Sequence, residues 1–453
     1  MLQRALSRPY PRTEPSHTVF QIISGRRHSR SRDERRGILN VAILGFGTVG
    51  KSVAKIFTQR APANLRLTCV FNRDIARKRV DWVSAEPEWT EEFDRVLGPN
   101  TDIVVELIGG LRPAEDFIRR ALLAGKSVVT ANKQVIAHSG PELLALATKR
   151  KCHLSFGAAV AGGVPVISAL EDGLAGDELL KIDGVLNGTC NFILTQIESL
   201  GVSFSAALAE AQERGYAEAD PHQDIDGSDA CAKLAILARV GLHAEVSAGR
   251  IFRRSISSIE AVDFRYAHQL GCTIRQVSRA ELNKNLLFAA VQPTMVALSS
   301  PLASTKQAEN VVVTSGNFGG VTTFKGEGAG GGPTAVAVVS DIIRTAQRMN
   351  DAHIGGGTVH ETHCRLSGDF STRHYVRVPI RDGQKIRPLL ATVVKNSGAA
   401  LESVLDNPDQ SRPNPAFAFT LQASKTSIAA NTLRQLKMVA EAGPGWVTLP
   451  IVD

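Results

Sequence analysis

The 453-residue chain has no apolar run approaching the roughly 20 residues that cross a bilayer. Even IVVELIGG at 103–110 is interrupted by Glu106 and two glycines, so a membrane-spanning helix is not expected. The chain also has no C-x-x-C pair: Cys69, Cys152, Cys190, Cys231, Cys272 and Cys364 lie far apart. That excludes the usual zinc ribbon or disulfide scaffold and predicts reduced thiols in a cytosol-like, cytoplasmic setting. Lysine is absent from residues 1–37, where nine Arg face only Glu14, Asp33 and Glu34. This tail carries +6 of the formal +8, so the body has little net charge and no electrostatic case for binding nucleic acid. The tail reads as a disordered basic extension, an organelle transit peptide or the product of an upstream start codon. At 43% hydrophobic and 21% charged the rest is globular, long enough for about three domains at roughly 150 residues each.

The apolar run ILNVAIL at 38–44 ends at Gly45-Phe46-Gly47-Thr48-Val49-Gly50, after which Val49, Val53, Ile56 and Phe57 recur at helical spacing. Strand, glycine turn and helix are the context in which G-x-G-x-x-G binds a dinucleotide. The first glycine makes the turn, the second admits a pyrophosphate to the helix N-terminus, and the third lets helix and strand approach. The next strand, 65–71, ends at Asn72-Arg73-Asp74, the position that reads the adenosine ribose. Arg73, followed by Arg77, Lys78 and Arg79, favours a 2′-phosphate and hence NADP, with NAD as the alternative. The continuous apolar runs 103–108 and 127–131 predict parallel strands buried on both faces. Lys133 follows the carboxyl end of the second of these, the edge at which open α/β sheets bind ligands.

A second glycine cluster, Gly162-Gly163-Val164-Pro165, leads into an apolar helix. A third, at 326–333, opens the helix 335–343 and predicts that the chain returns to the nucleotide domain there. Residues 351–366, with His353, His360 and His363, read as a polar linker rather than a metal site. The densest chemistry is GYAEADPHQDIDGSDACAKLAILA at 215–238, holding Glu218, Asp220, Asp224, Asp226 and Asp229 and then Lys233. A calcium loop fails, because alignment on Gly227 puts Lys233 where a bidentate Glu belongs. Asp229 and Lys233 are four residues apart and share a helix face. The apolar AKLAILA around them predicts that this helix is buried and its polar pair lines a cleft.

GFGTVG at 45–50, VVTANK at 128–133, AGGVP at 161–165, GVLNGTCNFIL at 184–194, AEADPHQDIDGSDACAKL at 217–234 and GEGAGGGPTAVAV with Asp341 occur in this order. Together they resemble the homoserine dehydrogenase family, over about residues 38–350. The resemblance implies interconversion of L-homoserine and L-aspartate 4-semialdehyde in threonine, methionine and isoleucine biosynthesis. It implies Lys233, Asp229 and Lys133 as catalytic residues, and Glu218, Asp224, Asp229 and Thr189 as substrate contacts. Cofactor contacts would be Gly45, Phe46, Gly47, Thr48, Val49, Gly50, Arg73, Lys133, Gly215 and Gly330. It also implies a homo-oligomer, dimer or tetramer. A monovalent cation would sit on the backbone carbonyls of Val160, Gly162 and Val164, but Gly157 stands where the family usually has a ligating Glu.

The expected fold is α/β, in three parts. These are a doubly wound parallel Rossmann sheet at 38–157 with a return at about 321–350, an α+β substrate and dimerisation domain at 158–320, and, after a linker at 351–369, a βαβ-type domain at 370–453. This last part resembles an ACT regulatory domain, with an amino-acid effector at an Asp382-Gly383 turn. In the expected chemistry Lys233, kept as an ammonium by Asp229, gives a proton to the aldehyde oxygen, and Glu218 is the buried partner of a substrate ammonium. The rival readings are another NADP-dependent semialdehyde reductase and a catalytically weakened amino-acid sensor.

Overall fold

The computed structural model describes residues 37–60, 62, 64–83, 86–350, 364–406, 416–440 and 445–452. The extension at 1–36 and the histidines at 353, 360 and 363 lie outside them. The first sheet is wholly parallel and runs in the order β3-β2-β1-β4-β5-β6. Its strands are β1 (Leu39–Leu44), β2 (Leu65–Phe71), β3 (Glu88–Thr90), β4 (Ile103–Glu106), β5 (Ser127–Thr130) and β6 (Leu154–Ser155). This is the doubly wound order, with its reversal between β1 and β4. Val41 to Leu44 and Ile103 to Val105 are fully buried because helices cover both faces, which is why these strands read as unbroken apolar runs.

The second sheet has eleven strands. They are β7 (Leu179–Val185), β8 (Phe252–Arg253), β9 (Cys272–Asn283), β10 (Leu286–Ala297), β11 (Glu309–Gly316), β12 (Gly320–Glu327), β13 (Arg365–Ser367), β14 (Ser371–Pro379), β15 (Leu401–Leu405), β16 (Ala416–Lys425) and β17 (Val447–Val452). The main path is β12-β11-β7-β9-β10-β17-β14-β16-β15. One edge of β10 pairs along its whole length with β9, while β13, β8 and β17 share the other in turn.

Several expectations change. Residues 321–327 belong to the second sheet as β12, so the return to the nucleotide domain begins only after them. The helix that follows is Gly331–Asn350, longer than the expected 335–343. Of the expected linker, 365–367 is a strand pairing with Leu286 to Phe288. The C-terminal segment is a βαββαβ unit whose strands lie in the order β17-β14-β16-β15, a ferredoxin-like arrangement. It is joined edge to edge to β10 rather than standing apart. The expected turn at Asp382-Gly383 lies inside the helix Ile380–Ile386, where the buried Asp382 carboxylate accepts from the indole Nε1 of Trp446 at 3.0 Å.

The helix Gly331–Asn350 packs on Thr48–Gln59 through Val338, Val339 and Ile342 against Val53, Ala54 and Phe57. The helices Lys133–Lys149 and Ser228–Leu242 also cross. A methyl group at Gly140 would lie 2.5 Å from Arg239 Nη1, which donates to the Ile136 carbonyl at 2.9 Å. Through this close crossing the core runs unbroken from the first sheet to the helix bearing Asp229 and Lys233.

Candidate active site

At the point where the strand order reverses, each glycine of the 45–50 turn does a separate task. Gly45 has φ +97°, and a Cβ there would meet the Leu107 carbonyl oxygen at 2.8 Å. A Cβ at Gly50 would be 2.1 Å from the Gly45 carbonyl oxygen, so only glycine lets the helix begin this close to β1. Gly47 has nothing within 4 Å of a Cβ, leaving the backbone open to a ligand. Thr48 is exposed and Val49 half-buried, while the Phe46 ring packs edge-on against Trp89, with centroids 4.9 Å apart. A crevice of about 340 Å³ runs from Gly45 and Gly47 to Asn72, Arg73, Asp74 and Lys78. Arg73 is exposed on its rim. Arg79 lies over the Trp89 ring instead, 6.0 Å from its centroid.

The 326–333 glycine cluster closes on this turn, and the 162–165 cluster closes on that cluster. A Cβ at Gly331 would reach Thr48 Cγ2 at 2.8 Å, and one at Gly162 would reach the Gly328 carbonyl oxygen at 2.5 Å. The Gly163 N–H donates to the Glu327 carbonyl at 3.1 Å. Gly330, at φ +120°, and the exposed Gly215, at φ +76°, take conformations that favour glycine.

Asp229 is the hub of the polar cluster. Its Oδ1 accepts from Lys133 Nζ at 2.8 Å, and its Oδ2 from Lys233 Nζ at 2.7 Å and Asn187 Nδ2 at 3.0 Å. Asn187 Nδ2 also donates to Asp224 Oδ1 at 2.7 Å, and Lys233 Nζ donates to the Leu186 carbonyl at 2.7 Å. Lys133 opens the helix Lys133–Lys149 that follows β5, Asn187 caps Gly188–Leu200, and the other two stand one turn apart on Ser228–Leu242. Burial opposes the Asp229 charge, yet the two lysines hold its carboxyl well below the usual range. Burial works against the Lys133 ammonium too, but Asp229, then Asp224 and Glu218, leave its pKa raised. Asp224 is raised, chiefly by burial, with the Asn187 amide pulling the other way. The result is two ammonium groups on one buried carboxylate, the cleft-lining polar pair expected of this helix with a second lysine added.

Not every expected residue behaves as expected. Glu218 is exposed on the loop after Phe204–Glu213, so it is not a buried partner for a substrate ammonium. Asp224 is the half-buried carboxylate beside Asp229. Thr189 spends its hydroxyl proton on the Tyr216 carbonyl at 2.7 Å, tying its helix to the 215–221 loop. The carbonyl of Val164 accepts from the Val166 N–H at 2.8 Å. The space beside Gly157 is taken by Asp341, whose Oδ2 accepts the Gly157 N–H at 2.7 Å. Asp341 is buried and lies 3.5 Å from Arg344 Nη1; burial raises its carboxyl pKa, with Arg344 and the Gly157 N–H pulling the other way. Gly157 adds no side-chain ligand to the backbone carbonyls of Val160, Gly162 and Val164, and Asp341 fills the space where one would enter. Among the described residues no three His, Cys, Asp or Glu side chains cluster to hold a metal.

Sequence reasoning gave no role to Asn187, which stood only within the GVLNGTCNFIL motif, or to Glu106. The Glu106 carboxylate is buried at the end of β4, accepting from the Ile108 N–H at 2.8 Å and Thr130 Oγ1 at 2.6 Å. It shapes the turn facing Gly45.

A sheet of this order with an open glycine turn at its switch point, facing a buried lysine–carboxylate cluster, defines an NAD(P)-dependent oxidoreductase. Comparison with known proteins narrows the class. Residues 45–157 match the family model described as homoserine dehydrogenase, NAD binding domain, and 165–343 the homoserine dehydrogenase model. A Corynebacterium glutamicum homoserine dehydrogenase is 36% identical over 382 residues, spanning 81% of this chain and 85% of that protein. A Thiobacillus denitrificans homoserine dehydrogenase structure superposes with a TM-score of 0.83 at 29% identity, covering 92% of this chain and 98% of that one. A hyperthermophilic archaeal homoserine dehydrogenase mutant in complex with NADPH gives 0.59 at 26% identity, over 70% of this chain and 99% of that one. The chain belongs to the homoserine dehydrogenase family.

Proposed function

We propose that this protein interconverts L-homoserine and L-aspartate 4-semialdehyde, with NADP as the preferred cofactor, and that the Lys133–Asp229–Lys233 cluster carries the proton chemistry. The observation behind this reading is the Asp229 carboxylate shared between lysines from two parts of the fold. When bound, the nicotinamide supplies or accepts the hydride. An ammonium has three N–H donors, and Lys233 commits one to Asp229 and one to Leu186. The third is left for the substrate oxygen, so Lys233 gives its proton as a carbonyl becomes an alcohol and takes it back in the reverse direction. Asp229 fixes the direction of both ammonium groups, and Lys133 bridges from the helix after β5 toward the substrate.

Asp224, with Glu218 on the more exposed side, recognises the substrate ammonium, and Thr189 sets the wall between them. Gly45 to Gly50, Gly215 and Gly330 form the cofactor cradle. Arg73, on the rim of the 72–78 crevice, meets the 2′-phosphate, and the NADPH-bound archaeal relative supports that cofactor choice. The protein assembles as a homo-oligomer in the cytoplasm. Its ferredoxin-like C-terminal unit is an ACT-type regulatory module for an amino-acid effector. The intact Lys133, Asp229 and Lys233 set argues against a catalytically weakened sensor. Initial rates of NADPH oxidation test the reading. L-Aspartate 4-semialdehyde should be turned over far faster than succinic semialdehyde, which lacks the ammonium group. Equal rates would refute ammonium recognition, and no rate with either would refute the activity.

A further inference from the structure

β10 carries the catalytic helix on one face and a groove on the other. Val291 points to the first face, where it would touch a Cβ on Gly227 at 3.1 Å. Ala290, Gln292 and Thr294 alternate to the second face and floor a groove of about 610 Å³, walled by the helix Thr426–Ala440. That volume suits a small organic molecule.

The charges around it are one-sided. Arg254, Arg279, Arg434 and Lys437 line the groove, and no Asp or Glu does. Arg279 is already neutralised by Asp183, at 2.6 and 2.9 Å. Arg254 donates to the Thr448 carbonyl at 3.1 Å and Arg434 to Asn431 Oδ1 at 2.9 Å, while Lys437 lies over the Trp446 ring. None of these three meets a carboxylate among the described residues. His374 lines the same groove at 5% exposure, and its buried Nδ1 makes no hydrogen bond of ordinary geometry. Burial, then Arg254, lowers its pKa to about 4, with the Thr372 backbone opposing weakly. A buried imidazole whose Nδ1 makes no well-formed hydrogen bond, beside uncompensated cations in an apolar groove, asks for an anionic ligand with a second polar atom.

We infer that this groove binds a small organic carboxylate with an apolar body and no ammonium group, of the 2-oxo acid class. The carboxylate meets Arg254, the adjacent oxygen meets His374, and the apolar body lies against Ala290 and Ala430. A zwitterionic amino acid fits worse, because its ammonium would find cations and no acid. The groove also reaches the catalytic helix. Phe252 and Arg254 line it, while Arg253 between them points away and pairs with Asp226 at 3.4 Å, just before Ser228–Leu242 begins. A ligand there bears on the setting of Asp229 through β8. That consequence rests on the proposed dehydrogenase activity; the binding does not.

Titration of the full-length protein with 4-methyl-2-oxopentanoate, followed by calorimetry and by the His374 imidazole resonances, tests the inference. Saturable binding is expected, about tenfold or more tighter than that of L-leucine, the ammonium-bearing counterpart. Arg254→Gln and Ala430→Trp, one removing the charge and the other filling the groove, should each weaken it by about tenfold or more. The His374 titration midpoint should rise on binding, since a bound anion favours the imidazolium. Absence of saturable binding at millimolar probe would overturn the inference, as would equal affinity for leucine. So would binding indifferent to both substitutions, or binding only after subunit dissociation, which would mean that a second copy covers the groove.

Discussion

Asn187 offers the sharpest test of how the polar cluster is held. Its Oδ1 caps Gly188–Leu200 by accepting the Cys190 N–H at 2.8 Å, while its Nδ2 bridges Asp224 and Asp229. Asn187→Ser separates these roles, because Ser caps a helix about as well as Asn but cannot reach both carboxylates. A hydrogen bond to a charged group contributes about 1.5–3 kcal/mol. The bond to buried Asp229 counts nearly in full; water replaces much of the one to half-buried Asp224. The expected loss is about 2 kcal/mol, or roughly 30-fold in kcat/KM for the semialdehyde, with little change in NADPH affinity. Losing the amide removes a group that lowers the Asp224 pKa, and Asp229 continues to raise it. The acid limb of kcat/KM should therefore move to higher pH, activity being lost sooner as pH falls. Kinetics across pH, with a melting curve to confirm that the cap survives, decide the matter. Wild-type kinetics, or an acid limb moved to lower pH, would refute the reasoning.

Arg73→Ala should raise the Kd for NADPH by about tenfold or more and leave NADH within about twofold, because only NADPH presents a 2′-phosphate; equal losses in fluorescence titrations would make Arg73 a support of the fold. Gly157→Glu should lower the melting temperature and confer no new cation dependence, since its Cβ would meet both Asp341 carboxylate oxygens within 2.9 Å. Potassium and sodium should stimulate the wild type only weakly at constant ionic strength, and strong saturable stimulation in rate assays would contradict the reading of Asp341.

The nucleotide half was legible because its determinants are local. Gly50 answers to the Gly45 carbonyl within one strand–turn–helix unit, and parallel strands buried on both faces leave continuous apolar runs. The Asp229–Lys233 pair was legible for the same reason, four residues on one helix. Longer-range partnerships left no trace in the pattern. Asn187 reaches Asp229 across 42 residues, and Gly157 meets Asp341 across 184. Residue type also did not give burial: Glu218 and Asp224 read alike, but one is exposed and the other sits beside the hub. The C-terminal strands alternate as any half-buried sheet does, which gives no sign that β17 pairs with β10 rather than closing a separate domain. Asp382-Gly383 carries turn residues, yet its helix packs against Thr426–Ala440 and the Asp is spent on Trp446.

In the proposed mechanism Lys233 moves the proton while the cofactor cradle lies elsewhere. Steady-state turnover of Lys233→Ala with L-aspartate 4-semialdehyde, beside NADPH binding measured on the same preparation, tests it directly. Turnover should fall by at least about 10²-fold, the low end for losing a general acid–base group, with the NADPH Kd within a few-fold of wild type. Undiminished turnover would remove Lys233 from the chemistry, and a parallel collapse of NADPH binding would show that it supports the cradle instead.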